Sequence, residues 1–403
     1  MKEILLGGLG AALTAGGLGA WWVRRRHLHR WLGSYLQQRV QRATPRAGHP
    51  VHLLLCIADH FEPKHGHVSP EVARARVQRW VNDYPRLFDR FRDSDGQPPR
   101  HTFFYPLEQY DPAEVTALTG LCHAGYGEVE VHHHHDQDTA AALRDRLLQF
   151  KDLLVHRHGL LARRRDTGEA AYGFVHGDWA LANSHPTGRH CGVHNELEVL
   201  RTTGCYADFT MPSAPSPTQP RKINSLYYAH GDAGRPGSLD SGMDAGTGVP
   251  APEALLLIQG PLLLNWQSRK WGVMPRIENG CLQGSQPPTD ARVDHWLRAR
   301  IQVRSRPDWF FVKLHTHGGI EPNQAVLLGE PMIRFHEALA RRAARNPHFH
   351  FHYVTAREMY NLVRAAEAGW TGDIHSARDF ELTCLAGSST ASSMVNSVSS
   401  TPI

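Results

Sequence analysis

The chain has 403 residues, 41% of them hydrophobic, so it can hold one large α/β domain or two smaller ones around a sizeable core. The formal net charge of +5 is modest and much of it directly follows an apolar N-terminal stretch, so we expect no nucleic-acid partner. No two of the six cysteines form a CxxC pair, which argues against a zinc ribbon or a redox motif. Histidine is unusually frequent, with 28 copies, many of them clustered in short strand-like segments.

The N-terminal region carries a predicted membrane anchor. Residues 4–23 contain no charged side chain and are long enough to cross a bilayer. Trp21 and Trp22 stand where an interfacial aromatic belt is expected, and three arginines follow at residues 24–26. We therefore predict a single-pass transmembrane helix within residues 1–26, in an inner or plasma membrane. The positive-inside rule puts the folded domain on the cytoplasmic side.

A basic, amphipathic linker over residues 27–50 leads into a regular alternation of strands and helices. The predicted strands cover residues 51–58, 101–105, 128–131, 171–176, 205–211, 255–258, 309–314 and 348–354. About eight such units predict an α/β fold, a distorted (β/α) barrel of seven or eight parallel strands over residues 51–370. An open doubly wound sheet is the alternative, although no Gly-rich dinucleotide loop follows the first strand. Residues 371–403 are Ser-rich and are predicted to form a largely disordered tail.

The most distinctive stretch is residues 128–136, in which two acids alternate with two valines before four histidines and an aspartate. Such alternation is typical of a β-strand, so His132 and His134 would share one face, and His133 and His135 the other. Paired imidazoles at this spacing are natural ligands for zinc or a similar divalent ion, and we assign the first pair as metal ligands. We interpret the second pair as packing residues or as residues that orient the ligands.

Further acids and histidines occur at or near other strand ends. Asp136 ends the histidine stretch and is either a metal ligand or the N-cap of the next helix. Asp208 lies within an apolar strand, where an acid is costly unless it is paired. The side chains that directly follow strands are Asp59, His60, His176, Asp178, His315 and His317. Because the C-terminal strand ends of a parallel barrel meet at one mouth, this placement predicts a metal-dependent or acid–base site there.

These residues resemble the motifs of the polysaccharide deacetylase (NodB-homology) superfamily, over roughly residues 51–365. The family's first motif, Asp-Asp-Gly, is matched by residues 59–61. This match aligns Asp59 with the family's catalytic base and puts His60 in place of a metal-binding aspartate. The family's late Leu-x-His motif is matched by residues 314–317.

Two further motifs of the superfamily match in part. Its two histidines four residues apart correspond to His132 with Asp136, or else to the strand pair His132 and His134. Its motif with an arginine before a proline corresponds to residues 208–212, which keep the proline and lack the arginine. The resemblance implies a distorted β/α barrel whose divalent metal is held by one Asp and two His.

The resemblance also implies an activity, a metal-dependent hydrolysis that removes an acyl group from a carbohydrate, either a polysaccharide or a glycolipid. The expected cofactor is a divalent metal, zinc first, with the candidate ligands Asp59, His60, His132, His134 and Asp136. The candidate catalytic residues are Asp59, which would take a proton from water, and Asp208, His315 and His317. Two alternatives stay open, a glycosidase that uses Asp208 with a second carboxylate, and a non-catalytic barrel that binds glycans in an assembly complex.

Overall fold

Strands and helices alternate along the chain, of which the computed structural model describes residues 19–384. The strands are β1 (Val51–His60), β2 (His101–Pro106), β3 (Gly127–His133), β4 (Ala162–Arg164), β5 (Ala170–His176), β6 (Cys205–Asp208), β7 (Leu226–Ala229), β8 (Met243–Asp244), β9 (Leu255–Ile258), β10 (Leu263–Lys270), β11 (Met274–Glu278), β12 (Trp309–Thr316), β13 (Phe349–Tyr353) and β14 (Leu382–Cys384). The α-helices are α1 (Leu28–Gln41), α2 (Pro70–Phe88), α3 (Pro112–His123), α4 (Ala140–His158), α5 (Glu196–Thr202), α6 (Asp290–Ala299), α7 (Glu321–Leu327), α8 (Glu330–Arg345), α9 (Ala356–Glu367) and α10 (Ile374–Ala377).

Twelve strands form one mixed sheet in the order β12-β1-β2-β3-β5-β6-β9-β7-β8, with β13 paired to β1, β4 to β5 and β14 to β4. Parallel ladders connect eight of them, namely β1, β2, β3, β5, β6, β9, β12 and β13. At one edge β7 and β8 are added in antiparallel orientation. The predicted α/β fold with a mostly parallel sheet is therefore confirmed, whereas the strand pattern did not predict the antiparallel additions.

The sheet is strongly curved. Lys313 on β12 donates a hydrogen bond from Nζ to the carbonyl oxygen of Phe209, directly after β6, at 2.7 Å. In a flat sheet those two strands would lie about 24 Å apart, because four other strands separate them, and a lysine cannot reach so far. Within residues 19–384 no ladder joins β12 to the far end of the sheet, so the predicted closure into a barrel is not confirmed. The strand order is that of an open, curled sheet.

Both faces of the sheet are covered by apolar side chains. On β1, Leu53, Leu55 and Ile57 belong to a layer beneath helices α2, α3, α4 and α8. The residues between them, Leu54, Cys56 and Ala58, belong to a second cluster inside the curve of the sheet. Because successive strand side chains point to opposite faces, the polar residues at the strand ends are divided in the same way, between the interior and the helix-covered face.

Helix α1 packs on the folded domain. Leu28, Trp31 and Tyr35 lie on one face of the helix and are buried in the interior cluster. Arg42, just after the helix, donates to the carbonyl oxygen of Ala299 at 2.8 Å. The segment predicted as an amphipathic linker thus covers part of the core. Of the helices within residues 19–384, none combines the length and hydrophobicity that a membrane span requires, and the span predicted at 4–23 lies, except for its last five residues, outside the described residues.

The C-terminal region continues the fold beyond residue 370, where the sequence predicts a disordered tail. Helix α10 and strand β14 follow α9, and β14 pairs with β4 in antiparallel orientation. Asn361 on α9 holds this strand, because its Oδ1 accepts from the backbone N–H of Leu382 at 2.9 Å. The remaining residues of the predicted tail, 385–403, lie outside the described residues.

Candidate metal centre

Three histidines converge on one carboxylate oxygen at the C-terminal ends of β1, β3 and β12. The Nε2 atoms of His132, His134 and His317 lie 3.4, 3.6 and 3.8 Å from Oε1 of Glu62. Glu62 follows β1, and its side chain is 9% exposed. A tetrahedral zinc ion with bonds of about 2.0–2.1 Å separates neighbouring ligand atoms by about 3.4 Å. The distance from Glu62 to each histidine is therefore close to that between two ligands of one ion, and the ligand atoms of His60, Glu62 and His132 all lie within 4.8 Å of one another.

Hydrogen bonds on the far side of two rings orient them toward Glu62. Nδ1 of His132 donates to the carbonyl oxygen of Val175 at 2.9 Å, and Nδ1 of His134 donates to Oε1 of Glu108 at 2.7 Å. When Nδ1 of a neutral imidazole carries the proton, Nε2 presents a lone pair. Nε2 of His132 is buried and has no hydrogen-bond partner. In the neutral form of these rings, the lone pairs on the Nε2 atoms face Oε1 of Glu62. A cation bound between them would satisfy both the nitrogens and the carboxylate oxygen.

The charge of Glu62 is favoured by the same histidines. Burial opposes its ionisation, but the neighbouring histidines, His132 first and then His317 and His134, outweigh burial and lower the pKa of Glu62 to about 2. The carboxylate is therefore ionised at neutral pH. A carboxylate oxygen among imidazole nitrogens is a donor set that suits zinc.

His60 completes the inner wall of the centre. Its ring centroid lies 5.1 Å from that of His132 and 4.9 Å from that of His317. One ring nitrogen of His60 lies within 4.8 Å of the ligand atoms of Glu62 and His132. Burial, followed by the neighbouring charges of His317 and His132, holds the pKa of His60 well below its usual value. His60 is therefore a neutral imidazole at pH 7.

The centre is closed on its inner side and open on its outer side. His60 and His132 are buried, whereas the side chains of His134 and His317 are 28% and 26% exposed. The half-buried ring of Trp179 lies beside them, 5.9 Å from that of His317 between centroids. Catalytic zinc sites keep a coordination position open to water or substrate, and this arrangement allows one.

Asp59 lies on the opposite face of β1 from His60. Its Oδ1 accepts from the backbone N–H of Gly318 at 2.6 Å, and its Oδ2 lies 2.8 Å from Nε2 of His101. The side chain is fully buried, with both oxygens occupied. The contact with Gly318 holds the turn that follows His317. Asp59 thus stabilises the backbone next to the centre. Its oxygens do not belong to the group of converging ligand atoms.

Asp136 lies on the surface. Its Oδ1 accepts from the backbone N–H groups of Gln137 and His190, at 3.0 and 2.7 Å. The N-cap of the next helix is Thr139, whose side chain accepts from the N–H of Ala142, so the alternative role predicted for Asp136 belongs to Thr139. The exposed carboxylate instead joins two loops.

The two remaining predicted residues are buried. Asp208 accepts from the backbone N–H of Thr210 at 3.1 Å and from its hydroxyl at 2.6 Å, and burial raises the pKa of Asp208 to about 7. The same hydroxyl accepts from the backbone N–H of His176 at 2.8 Å, so Asp208 braces the end of β5. His315 lies behind His60, with 6.4 Å between the ring centroids, and is 3% exposed.

Of the residues that the sequence places at the strand ends, the structure brings His60, His132, His134 and His317 around Glu62. The sequence alone is equally consistent with a structural salt bridge and with a catalytic role for Glu62, and it predicts no role for Glu108. The available signal is position, because both acids lie within a few residues of the end of a predicted strand, as the selected histidines do. Several His, Glu, Asp and Cys groups of the described chain have the proximity needed to bind a metal ion. Comparison of the chain with protein-family models and with curated proteins gave no match.

Proposed function

We propose that this protein is a metal-dependent hydrolase whose centre is formed by His60, Glu62 and His132, with His134 and His317 on its open side. The observation that carries the proposal is the convergence of three imidazole Nε2 atoms on Oε1 of Glu62, within 3.4–3.8 Å. The proposed ion is zinc, because imidazole nitrogens and a carboxylate oxygen form a common donor set for it. A bound zinc ion would polarise an acyl oxygen and lower the pKa of a water molecule toward neutrality.

The protein's own groups have distinct roles in this proposal. His60 and His132 hold the ion on the buried side of the centre, together with Glu62. His134 and His317 border the open side, where substrate enters. Trp179 offers an aromatic surface beside that opening, which suits the apolar face of a sugar ring.

The proposed substrate is an acylated carbohydrate, and this part rests on the resemblance of residues 59–61 and 314–317 to the deacetylase motifs. A glycosidase would need two carboxylates that flank the substrate. Asp208 does not favour that alternative, because it is 1% exposed and Thr210 occupies both of its oxygens.

The test uses the full chain purified in detergent and loaded with zinc. Acetate release is measured from N-acetylated and O-acetylated oligosaccharides, for the unchanged protein and for His134→Ala, His317→Ala and the control His156→Ala. His156 is on α4, with its side chain 74% exposed. We expect the first two variants to lose one equivalent of zinc and nearly all acetate release, and the control to keep both.

Three outcomes would overturn the proposal. Release of reducing ends without acetate would support the glycosidase. Glycan binding without turnover of any acylated or glycosidic substrate would support a binding protein. Acetate release that is unchanged in His134→Ala, or that needs no metal, would reject the assigned centre.

A further inference from the structure

A second group of metal-ligand side chains lies on the helix-covered face of the sheet, behind the run of four histidines. It consists of His135 after β3, His176 at the end of β5, Cys191 in the following loop and Glu196 at the start of α5. One ligand atom from each lies within 4.8 Å of the others. His176, Cys191 and Glu196 are completely buried, and the side chain of His135 is 3% exposed.

The distances match those between ligands of one ion. Oε1 of Glu196 lies 3.2 Å from Nε2 of His135 and 3.5 Å from Nε2 of His176. Sγ of Cys191 lies 3.3 Å from Oε2 of the same carboxylate. Tetrahedral zinc with bonds of about 2.0–2.3 Å to nitrogen, oxygen and sulfur gives ligand separations of about 3.3–3.6 Å.

Both imidazoles are oriented by a contact on their other nitrogen. Nδ1 of His135 donates to Oδ2 of Asp138 at 3.0 Å, and Nδ1 of His176 donates to the carbonyl oxygen of Gly177. Each Nε2 therefore presents a lone pair toward Glu196, which also presents lone pairs. Such carboxylate–histidine and carbonyl–histidine pairs are the usual supports of metal-bound histidine.

A proton satisfies this arrangement only in part. Protonation of His135 would turn its contact with Glu196 into a hydrogen bond. Nε2 of His176 would still be without a hydrogen-bond partner while completely buried, which is unfavourable for a polar atom. One divalent cation at the centre of the four side chains would satisfy both nitrogens, the carboxylate and the sulfur together.

The loop that carries Cys191 is held firmly in place. The carbonyl oxygen of Cys191 accepts from the backbone N–H of Asp138 at 2.9 Å, and the N–H of Gly192 donates to Asn183 at 3.2 Å. Gly192 has a φ of +98°, and a Cβ there would lie 2.5 Å from the backbone nitrogen of Asp138. This close approach of Gly192 to Asp138 places the thiol of Cys191 near His135 and His176.

We propose that His135, His176, Cys191 and Glu196 form a second, structural metal centre for zinc or another borderline-soft divalent ion. Four protein ligands with no open side are typical of structural sites, and a thiolate among imidazoles selects such ions over magnesium or calcium. This inference does not depend on the proposed hydrolysis. It also explains the histidine run: even-numbered residues face the first centre, and His135 faces the second.

The test replaces zinc by cobalt in the full chain, because a thiolate–cobalt bond gives a charge-transfer absorption band that nitrogen and oxygen ligands lack. We expect two equivalents of metal and this band in the unchanged protein. Cys191→Ser should lose the band and weaken one equivalent, whereas Cys122→Ser, on α3, should keep both. His134→Ala should keep the band while it loses the other equivalent.

If Cys191→Ser fails to fold, X-ray absorption spectroscopy of the unchanged zinc-loaded protein still tests whether a sulfur atom binds zinc. We expect one sulfur ligand per two zinc ions. Absence of any zinc–sulfur scattering, or a cobalt band that persists in a folded Cys191→Ser, would overturn the second centre. Failure of the proposed function is distinguishable, because the band is then present in a protein that releases no acetate.

Discussion

The carboxylate of Glu108 accepts a hydrogen bond from Nδ1 of His134 at 2.7 Å, across the gap between the end of β2 and the end of β3. Its second oxygen lies 3.0 Å from Nδ1 of His133, on the opposite face of the strand. One side chain therefore orients two consecutive histidines. Burial alone would raise the pKa of Glu108, but the contacts with the two histidines outweigh burial and hold this pKa well below its usual value.

Replacement of Glu108 by glutamine should weaken metal binding at the first centre by about 10–100-fold, since the amide cannot accept from both histidines. A competition titration against a chromophoric chelator measures this change. The matched control is Glu337→Gln on α8, whose ion pair with Arg341 is exposed. Equal affinities of Glu108→Gln and the control would contradict the orienting role.

Gly177→Ala should displace His134. A Cβ at this position would overlap the imidazole of His134 and would lie 2.9 Å from the carbonyl oxygen of His133. We expect the variant to lose most acetate release and one equivalent of zinc. Gly120→Ala on α3 is the control, because its Cβ would meet nothing within 4 Å, and it should stabilise the protein by about 0.5–1 kcal/mol. Zinc titration and thermal unfolding distinguish the two results.

Asp59→Asn should lower stability rather than remove the metal. The substitution weakens the buried contacts with His101 and Gly318, at a cost of about 1–3 kcal/mol. Zinc stoichiometry should remain as in the control Asp152→Asn, whose side chain is 70% exposed. Denaturant unfolding and metal analysis are the measurements. Loss of zinc with unchanged stability would instead identify Asp59 as one of the metal ligands that the sequence predicts.

Glu130 should make stability depend on pH. Burial, with the nearby charge of Glu128, raises the pKa of Glu130 to about 8, against hydrogen bonds from Tyr206 and Gly173. Between the ordinary value of 4.5 and about 8 the folded chain holds a proton that the unfolded chain has lost. The free energy of unfolding should therefore fall as pH rises through this window, by at most about 1.4 kcal/mol per pH unit from this group.

Glu130→Gln should remove this contribution, because an amide does not titrate and can both donate to Tyr206 and accept from Gly173. Denaturant unfolding at several pH values compares the variant with Glu253→Gln, whose side chain is 84% exposed. The difference in stability between Glu130→Gln and the control should grow in favour of Glu130→Gln as pH rises. A constant difference across the window would contradict the assignment.

The sequence predicts the parallel part of the sheet well, because each buried strand is an apolar run that ends at a polar residue. It also predicts that His60, His132, His134 and His317 lie together, since parallel strand ends meet at one edge. The sequence does not distinguish a metal-binding Glu62 from one that forms an ordinary salt bridge. The alternation of side chains along a strand predicts no orientation for a loop residue two positions beyond the strand. Nothing in the sequence indicates that a backbone N–H group donates to Asp59 or that a hydroxyl donates to Asp208.

The second group of ligands was beyond prediction for a different reason. Cys191 lies in a loop and Glu196 on a short helix, so no periodicity relates them to His135 or His176. Their proximity depends on the path of the chain after β5, which residues with positive φ such as Asp178 and Asn183 direct. Strand β8 lies within the Gly-rich stretch 231–252, whose composition predicts only a loop, and β7 just precedes that stretch.

The register of strand β3 in the sheet depends on the residues that precede the histidines. Four identical side chains in succession are equivalent under a one-residue slip, so the run cannot itself select which imidazoles face inward. Glu130 makes that selection, because its buried oxygens accept from Tyr206 and from the backbone N–H of Gly173 on β5, both at 2.6 Å. A slipped strand would bury this acid against the helices without those donors. An acid two residues before His132 thereby helps to fix which imidazoles face the interior and which face the helices.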